Sequence, residues 1–234
     1  MASVCFTPFK VPRVRVTRLD GCGAVVTGSC SQVVTDGIIS IEMTKNYEDR
    51  EEFFVKNADG RFCVRETNPP VLKWIDLVFT FCNVDPELVN LMTSNSTVAD
   101  DSAAANKIGY NEDENSAATS YFALEGWTRL ANQGISCTGG VEYGYTLYPR
   151  VVEGTIGDVT YQNDTASFIV NARTASGSLW GNGPYFVDLS DNTGTLDTPI
   201  KLLTPILSTQ HKRMFITRAA PPTAACGCAP LFTT

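Results

Sequence analysis

The chain has 234 residues, 43% of them hydrophobic and 18% charged, with a net charge of -7. That length suits one β domain with a proper core, or two small domains, and the acidic balance speaks against a protein that grips nucleic acid through clustered Lys and Arg. No run reaches the ~18 apolar residues of a membrane span, and residues 1–16 lack the apolar stretch of a secretory signal, so a cytoplasm is the expected folding compartment.

Strand patterns run through nearly the whole sequence. From Val14 to Leu19, Val14 and Val16 alternate with Arg13, Arg15 and Thr17, the period of a half-buried strand, and Asp20-Gly21 then marks a turn. Ile39, Ile41 and Met43 alternate with Ser40, Glu42 and Thr44 in a second strand, followed by a polar, acidic loop from Lys45 to Glu52. Phe53 to Lys56 and Arg61 to Arg65 flank Asn57-Ala58-Asp59-Gly60, where Asp-Gly supplies the left-handed backbone of a tight hairpin. Val71 to Cys82 reads as a long strand with Ile75, Leu77, Phe79 and Phe81 on one face. Asp85-Pro86-Glu87 is an N-cap, a proline at the first helical position and an acidic first turn. It opens a short helix over 85–92 with Leu88, Leu91 and Met92 on its apolar side.

From Ser94 to Ser120 large apolar side chains become scarce, which predicts an exposed loop or insertion. Strands resume at Tyr121 to Leu130, after Gly139-Gly140 in VEYGYTLYPRV, at Thr155 to Tyr161 and at Ala166 to Ala172, the last two joined through Asn163-Asp164. The Gly-rich segment Ser176 to Tyr185, a strand at Arg213 to Arg218 and a tail complete the chain. The fold class expected is mainly β, a sandwich or barrel with one short flanking helix and extended loops or arms. Residues 1–218 form the β domain and 219–234 a C-terminal arm.

The chemistry-bearing residues are sparse. Eight cysteines, at 5, 22, 30, 63, 82, 137, 226 and 228, are scattered through a chain large enough to do without staples, and are read mostly as small hydrophobes or free thiols. Cys226-Gly227-Cys228 would need further ligands to hold a metal, and is read as part of a disordered tail. Asn95-Ser96-Thr97 and Asn163-Asp164-Thr165 match the glycosylation acceptor pattern but read as polar turns. His211 is the single histidine and no nucleophile-elbow motif accompanies it, so it is placed at a surface or interface. Gly21-Cys22-Gly23 opens like a dinucleotide loop, but Val26 stands where a third glycine belongs. The acidic groups Glu48, Asp49, Glu51 and Glu52, and Glu112, Asp113 and Glu114, could suggest a cation-dependent hydrolase, yet solvated loops are the ordinary reading. Trp74, Trp127, Trp180, Tyr143, Tyr145 and Tyr148 could form a sugar-stacking platform on a carbohydrate-binding or adhesin β-sandwich, or else core and interface. No enzymatic activity, cofactor or metal is expected.

Six segments stand in order along the chain: YEDREE from Tyr47 to Glu52, VKNADGR from Val55 to Arg61, FCNVDPELVNLMT from Phe81 to Thr93, the YGY-x-LYPR strand from Tyr143 to Arg150, GSLWGNGPY from Gly177 to Tyr185, and PPTAACG from Pro221 to Gly227. This ordered set resembles the major tail proteins, or tail tube proteins, of long-tailed bacteriophages, especially those infecting actinobacteria. The polar segment 94–120 departs from the simplest members. The resemblance implies a β-sandwich or barrel whose subunits close into hexameric rings that stack into a hollow tube, built in the host cytoplasm and carried in the virion. The tube would contact a tape measure protein, a tail tip and a tail terminator, and pass double-stranded DNA without binding it, helped by an acidic lumen. Tyr47, Glu48, Asp49, Arg50, Glu51 and Glu52, with Phe215 of the last strand and Pro221 and Pro222 of the arm, are expected at contacts between subunits or rings, on their polarity and Pro content beside strong strands. A tail terminator or another head-tail ring protein is the nearest alternative.

Overall fold

The computed structural model describes residues 7–103, 105–130, 141–159, 167–188 and 199–231. Its strands are β1 (Pro8–Arg18), β2 (Gln32–Thr35), β3 (Ile38–Tyr47), β4 (Glu52–Lys56), β5 (Phe62–Thr67), β6 (Leu72–Phe81), β7 (Thr97–Ala99), β8 (Lys107–Tyr110), β9 (Tyr121–Leu130), β10 (Tyr143–Ile156), β11 (Phe168–Thr174) and β12 (Arg213–Thr217), with one α-helix, α1 (Pro86–Thr93). The protein is mainly β and its ladders are antiparallel. Eight strands share one sheet in the order β2-β1-β9-β10-β11-β6-β3, with β12 also paired to β10, while β4-β5 and β7-β8 form two small sheets.

The branch at β10 follows from its sequence. Residues 143–147 pair with β12, and residues from Val151 to Ile156 pair with β11. Between them stands Pro149, which has no N–H for a ladder, and the register against β9 slips between Tyr148 and Val151. A bulge tolerates such a residue and bends the strand. One long strand therefore replaces the two expected over 143–150 and 155–161, while the Asn163-Asp164 turn lies outside the described residues. Arg150 fixes the bend by donating to the carbonyls of Ser176 at 2.7 Å and Gly21 at 2.9 Å.

The sheet curls around α1, and β3, at one end of its order, touches β1 near the other. Inside the curl Ile75, Leu77, Phe79 and Phe81 of β6 meet Val14, Val16, Phe122, Leu124 and Val170, all buried as the alternation on β6 predicts. Leu88, Val89, Leu91 and Met92 of α1 plug the same core, each burial stabilising by about 1.5–3 kcal/mol. The helix starts where expected: Asp85 accepts from the Glu87 N–H at 3.0 Å. It ends at Ser94, whose left-handed backbone (φ 57°) directs its N–H to the Asn90 carbonyl.

A second core lies on the opposite face of β9 and β10, where Trp127, Tyr145 and Leu147 are covered by Trp180, Tyr185, Val187, Leu202 and Ile206. Strand β9 is thus buried on both faces. At its centre Arg15 pairs with Glu125, and both are almost entirely withdrawn from solvent.

Two expectations fail here and a third resolves between its alternatives. Residues 94–120 are a mostly exposed insertion and not a loose loop. They fold into β7, β8 and a 3₁₀ turn at Ser116–Thr119, held by Asn95 Oδ1 accepting from the Asp113 N–H (2.9 Å) and by Ser120, whose hydroxyl donates to the Met92 carbonyl. The loop expected from Lys45 begins only after Tyr47, because β3 continues along β6. A register shift between Ile38 and Ser40 turns Ile39 outward, 58% exposed, and leaves Ile38 and Ile41 against the core.

Candidate assembly surface

Strands β3 and β6 are the inner half of a longer two-stranded ribbon. Tyr47 pairs with Leu72, the Glu48 N–H donates to the Val71 carbonyl at 2.8 Å, the Asn68 N–H donates to the Glu51 carbonyl at 3.2 Å, and Glu52 pairs with Thr67. The register therefore carries through the neck at 48–51 and 68–71, although Pro69 and Pro70 can donate nothing to it. Beyond the neck β4 and β5 pair with each other, and among the described residues no other strand or helix packs substantially on them. From Glu48 to the tip the strand can reach up to roughly 35 Å. Asn57 closes the tip by accepting from the N–H groups of Asp59 (3.1 Å) and Arg61 (2.9 Å), with Gly60 at φ 79°.

This outer ribbon carries side chains that a solvated hairpin has no use for. Phe53, Phe54, Val55, Phe62 and Val64 are each more than half exposed. The cross-strand pairs Phe53–Glu66 and Val55–Val64 share one face. On the other, Phe62 meets Phe54 edge-on at 6.0 Å with the Lys56 ammonium 4.9 Å from its centroid. Five such side chains expose on the order of 500 Å² in all, divided between the two faces. An isolated two-stranded hairpin is itself only marginally stable in water. The outer side of β3 is equally open: among the described residues no strand pairs with it, and Ile39 and Met43 are exposed.

The residues expected at contacts fall in different settings. Tyr47, half exposed, ends β3; Glu48, Asp49, Arg50 and Glu51 form one side of the neck and Glu52 begins β4, all of them exposed. Phe215 is half-buried, its ring 4.8 Å from that of Tyr145 in the second core, and Pro221 and Pro222 are half-buried as well. Residues 219–231 do not form a free tail: they lie along the outer edge of β2. There Ala229 exchanges backbone hydrogen bonds with Gln32, and the Ala225 N–H donates to the Val34 carbonyl. Cys228 is disulfide-bonded to Cys30, with their Cα atoms 5.0 Å apart. Cys22, Cys63, Cys82 and Cys226 are free but exposed rather than buried as small hydrophobes, and Cys5 and Cys137 lie outside the described residues.

The groups considered for other chemistries are engaged elsewhere. His211 is buried, not at the surface, with Nδ1 2.8 Å from the Thr174 hydroxyl, which itself accepts from the Ile75 N–H. Burial lowers the imidazole pKa. Trp127, Tyr145, Tyr148 and Trp180 are core residues, so they offer no platform for a sugar, and Trp74 lies under the Arg173 guanidinium. Asp113 and Asn111 serve the β7-β8 unit by bonding Ser96. Asn95, read as a polar turn, is buried. No helix among the described residues is long and apolar enough to cross a membrane.

No protein-family model matches the chain, and no curated protein sequence does.

Proposed function

We propose that this chain is the structural subunit of a phage tail tube. Copies close into rings, six to a ring, and the rings stack into a hollow tube that conducts the genome into the host. The observation that carries this reading is the open edge of β3, with which no strand pairs among the described residues, continuing into the apolar β4-β5 ribbon, whose Phe53, Phe54, Val55, Phe62 and Val64 are each more than half exposed. A strand edge of one copy set against a neighbour's would extend the curled sheet around the ring into a β-barrel of the tail-tube type and remove the exposed edges. The ribbon, reaching beyond the body, would supply the second set of contacts that stacking requires.

The net charge of -7 agrees with a passage for DNA, since a wall that repels phosphate lets a duplex slide without binding. The tape measure, tip and terminator proteins are the partners this reading assigns. The engagement of His211 with Thr174 and of Glu125 with Arg15 favours a scaffold over a catalyst.

Negative-stain electron microscopy over a concentration series, with salt varied and then with tail-tip complex added as a nucleus, tests the reading. Rings or stacked hollow tubes are expected. A particle that stays monomeric under every condition, the added nucleus included, would overturn it.

A further inference from the structure

Strands β2 and β3 stand at the two ends of the strand order, and among the described residues β2 is covered and β3 is not. Strand β2 is closed off by the C-terminal arm: the N–H groups of Ser31 (3.0 Å) and Gln32 (3.1 Å) donate to the Ala229 carbonyl, the Ala229 N–H returns a bond to the Gln32 carbonyl at 2.8 Å, and the Ala225 N–H reaches the Val34 carbonyl at 3.2 Å. The Gln32 amide donates to the Pro230 carbonyl and the Gly227 N–H to Asp85 Oδ2. These are mostly main-chain bonds, so they fit any copy of this arm equally well.

The seat beneath the arm is loose. A cavity of about 470 Å³ separates Pro222, Thr223 and Ala225 from Arg15, Tyr185 and Phe186. Gln32 lines this cavity, and its Oε1 has no hydrogen-bond partner among the described residues. Besides these hydrogen bonds the arm is held by one covalent bond, Cys30–Cys228, joining positions 198 residues apart. The arm leaves β12 through Pro221-Pro222, a stiff, extended exit that suits a strand reaching outward as well as one folding back.

We propose that residues 219–231 are an exchangeable cover strand: the Cys30–Cys228 bond holds the arm on its own β2 edge, and once a dithiol opens that bond the same edge accepts the arm of a second copy. One thiolate of the dithiol attacks a sulfur of the disulfide, forming a mixed disulfide and expelling the other cysteine as thiolate. The second thiol of the reagent then closes on the mixed disulfide, so the reagent leaves oxidised and cyclic while Cys30 and Cys228 each end as thiols. The swapped arm remakes the same backbone bonds, so exchange costs little once neighbours are held at high effective concentration. The identity of the partner as a second copy rests on the self-assembly reading above; the latch does not.

The test mixes two full-length variants, Cys30→Ser and Cys228→Ser, both also carrying Cys226→Ser, and then reoxidises them. Neither can form the bond alone. Exchange predicts a covalent heterodimer on a non-reducing gel and a Cys30–Cys228 linked peptide by mass spectrometry. Wild-type protein reduced and reoxidised at rising concentration should likewise shift from monomer to linked oligomers, which guards against a folding defect in the variants. If reoxidation yields only the intramolecular bond in wild type and no linked species in the mixture, exchange is overturned, whether or not tubes form. Tubes seen without linkage would leave the tube reading standing while this one falls.

Discussion

Arg15 and Glu125 form a bidentate pair almost entirely withdrawn from solvent, Nε to Oε2 at 2.6 Å and Nη2 to Oε1 at 2.7 Å. The Tyr145 hydroxyl donates to the same carboxylate, the Tyr185 ring lies 3.2 Å under the guanidinium, and the Thr17 and Tyr185 hydroxyls are 2.9 Å apart. The pair thus joins neighbouring strands β1 and β9 to the segment covering the second core. Burial, with Glu125 next in order, pushes the Tyr145 phenol well above its usual range. Removing Arg15 alone strands a buried carboxylate. Arg15→Met should therefore cost about 3–5 kcal/mol, and Arg15→Met with Glu125→Leu should recover most of that loss. Urea denaturation of the two variants checks this. Equal losses would mean that the charge pair is not what Arg15 contributes.

How far the fold could be read in advance differs from element to element. The alternation of Ile75, Leu77, Phe79 and Phe81 and the Asp85-Pro86-Glu87 cap carry strong local signals, and β6 and α1 lie where those place them. Residues 94–120 carry no apolar period, because the side chains of Asn95, Asp113 and Ser120 hold that segment rather than a buried face. Strand β2 has four residues, too few for a period to declare itself. The bulges in β3 and β10 break alternation without ending the strand. The Cys30–Cys228 pairing depends on where the arm lies, which no spacing encodes. For the ribbon the hairpin was legible and its isolation was not: Phe53, Val55 and Val64 have the pattern of a strand with a face to bury, and that face lies outside the subunit.

Gly154 marks the closest approach of β10 to the helix. A Cβ there would overlap the Met92 carbonyl and stand 2.9 Å from Ser120 Oγ, whose hydroxyl donates to that same carbonyl while accepting from the Gly154 N–H. The obstruction is backbone, so a rotamer change cannot relieve it. Gly154→Ala should destabilise by about 1–3 kcal/mol, read as a lower urea midpoint with an unchanged slope. An alanine variant as stable as wild type would mean that the helix end yields freely.

The buried imidazole of His211 gives stability a pH dependence of known sign. Its folded pKa lies below the unfolded value of about 6.5, so the unfolded chain binds the proton more readily. The stabilising contribution is complete above that unfolded value and is lost as pH falls through the folded pKa. Protonation would make both imidazole nitrogens donors, the Nδ1 beside the Thr174 hydroxyl included. Melting temperature should fall between pH 7.5 and pH 5, and His211→Gln should flatten that part of the profile. A variant whose profile parallels wild type through this window would place the titrating group elsewhere.

The ribbon separates folding from assembly. Because Phe53, Val55 and Val64 touch solvent and not the core, replacing all three with serine should leave the melting temperature of the monomer close to wild type, each surface change falling within about 0.5 kcal/mol. The same replacements remove the apolar face on which stacking would rest. If burying that face contributes even ~1.4 kcal/mol per contact, the concentration at which tubes appear should rise tenfold or more. Sedimentation across a dilution series, with micrographs of the pellet, measures that threshold. Paired replacements on the opposite face, Phe54→Ser with Phe62→Ser, show which side of the ribbon meets the neighbour: the face whose loss raises the threshold is the docked one. Tubes forming at an unchanged threshold in both sets would remove the ribbon from the assembly contacts and leave the open edge of β3 to carry them.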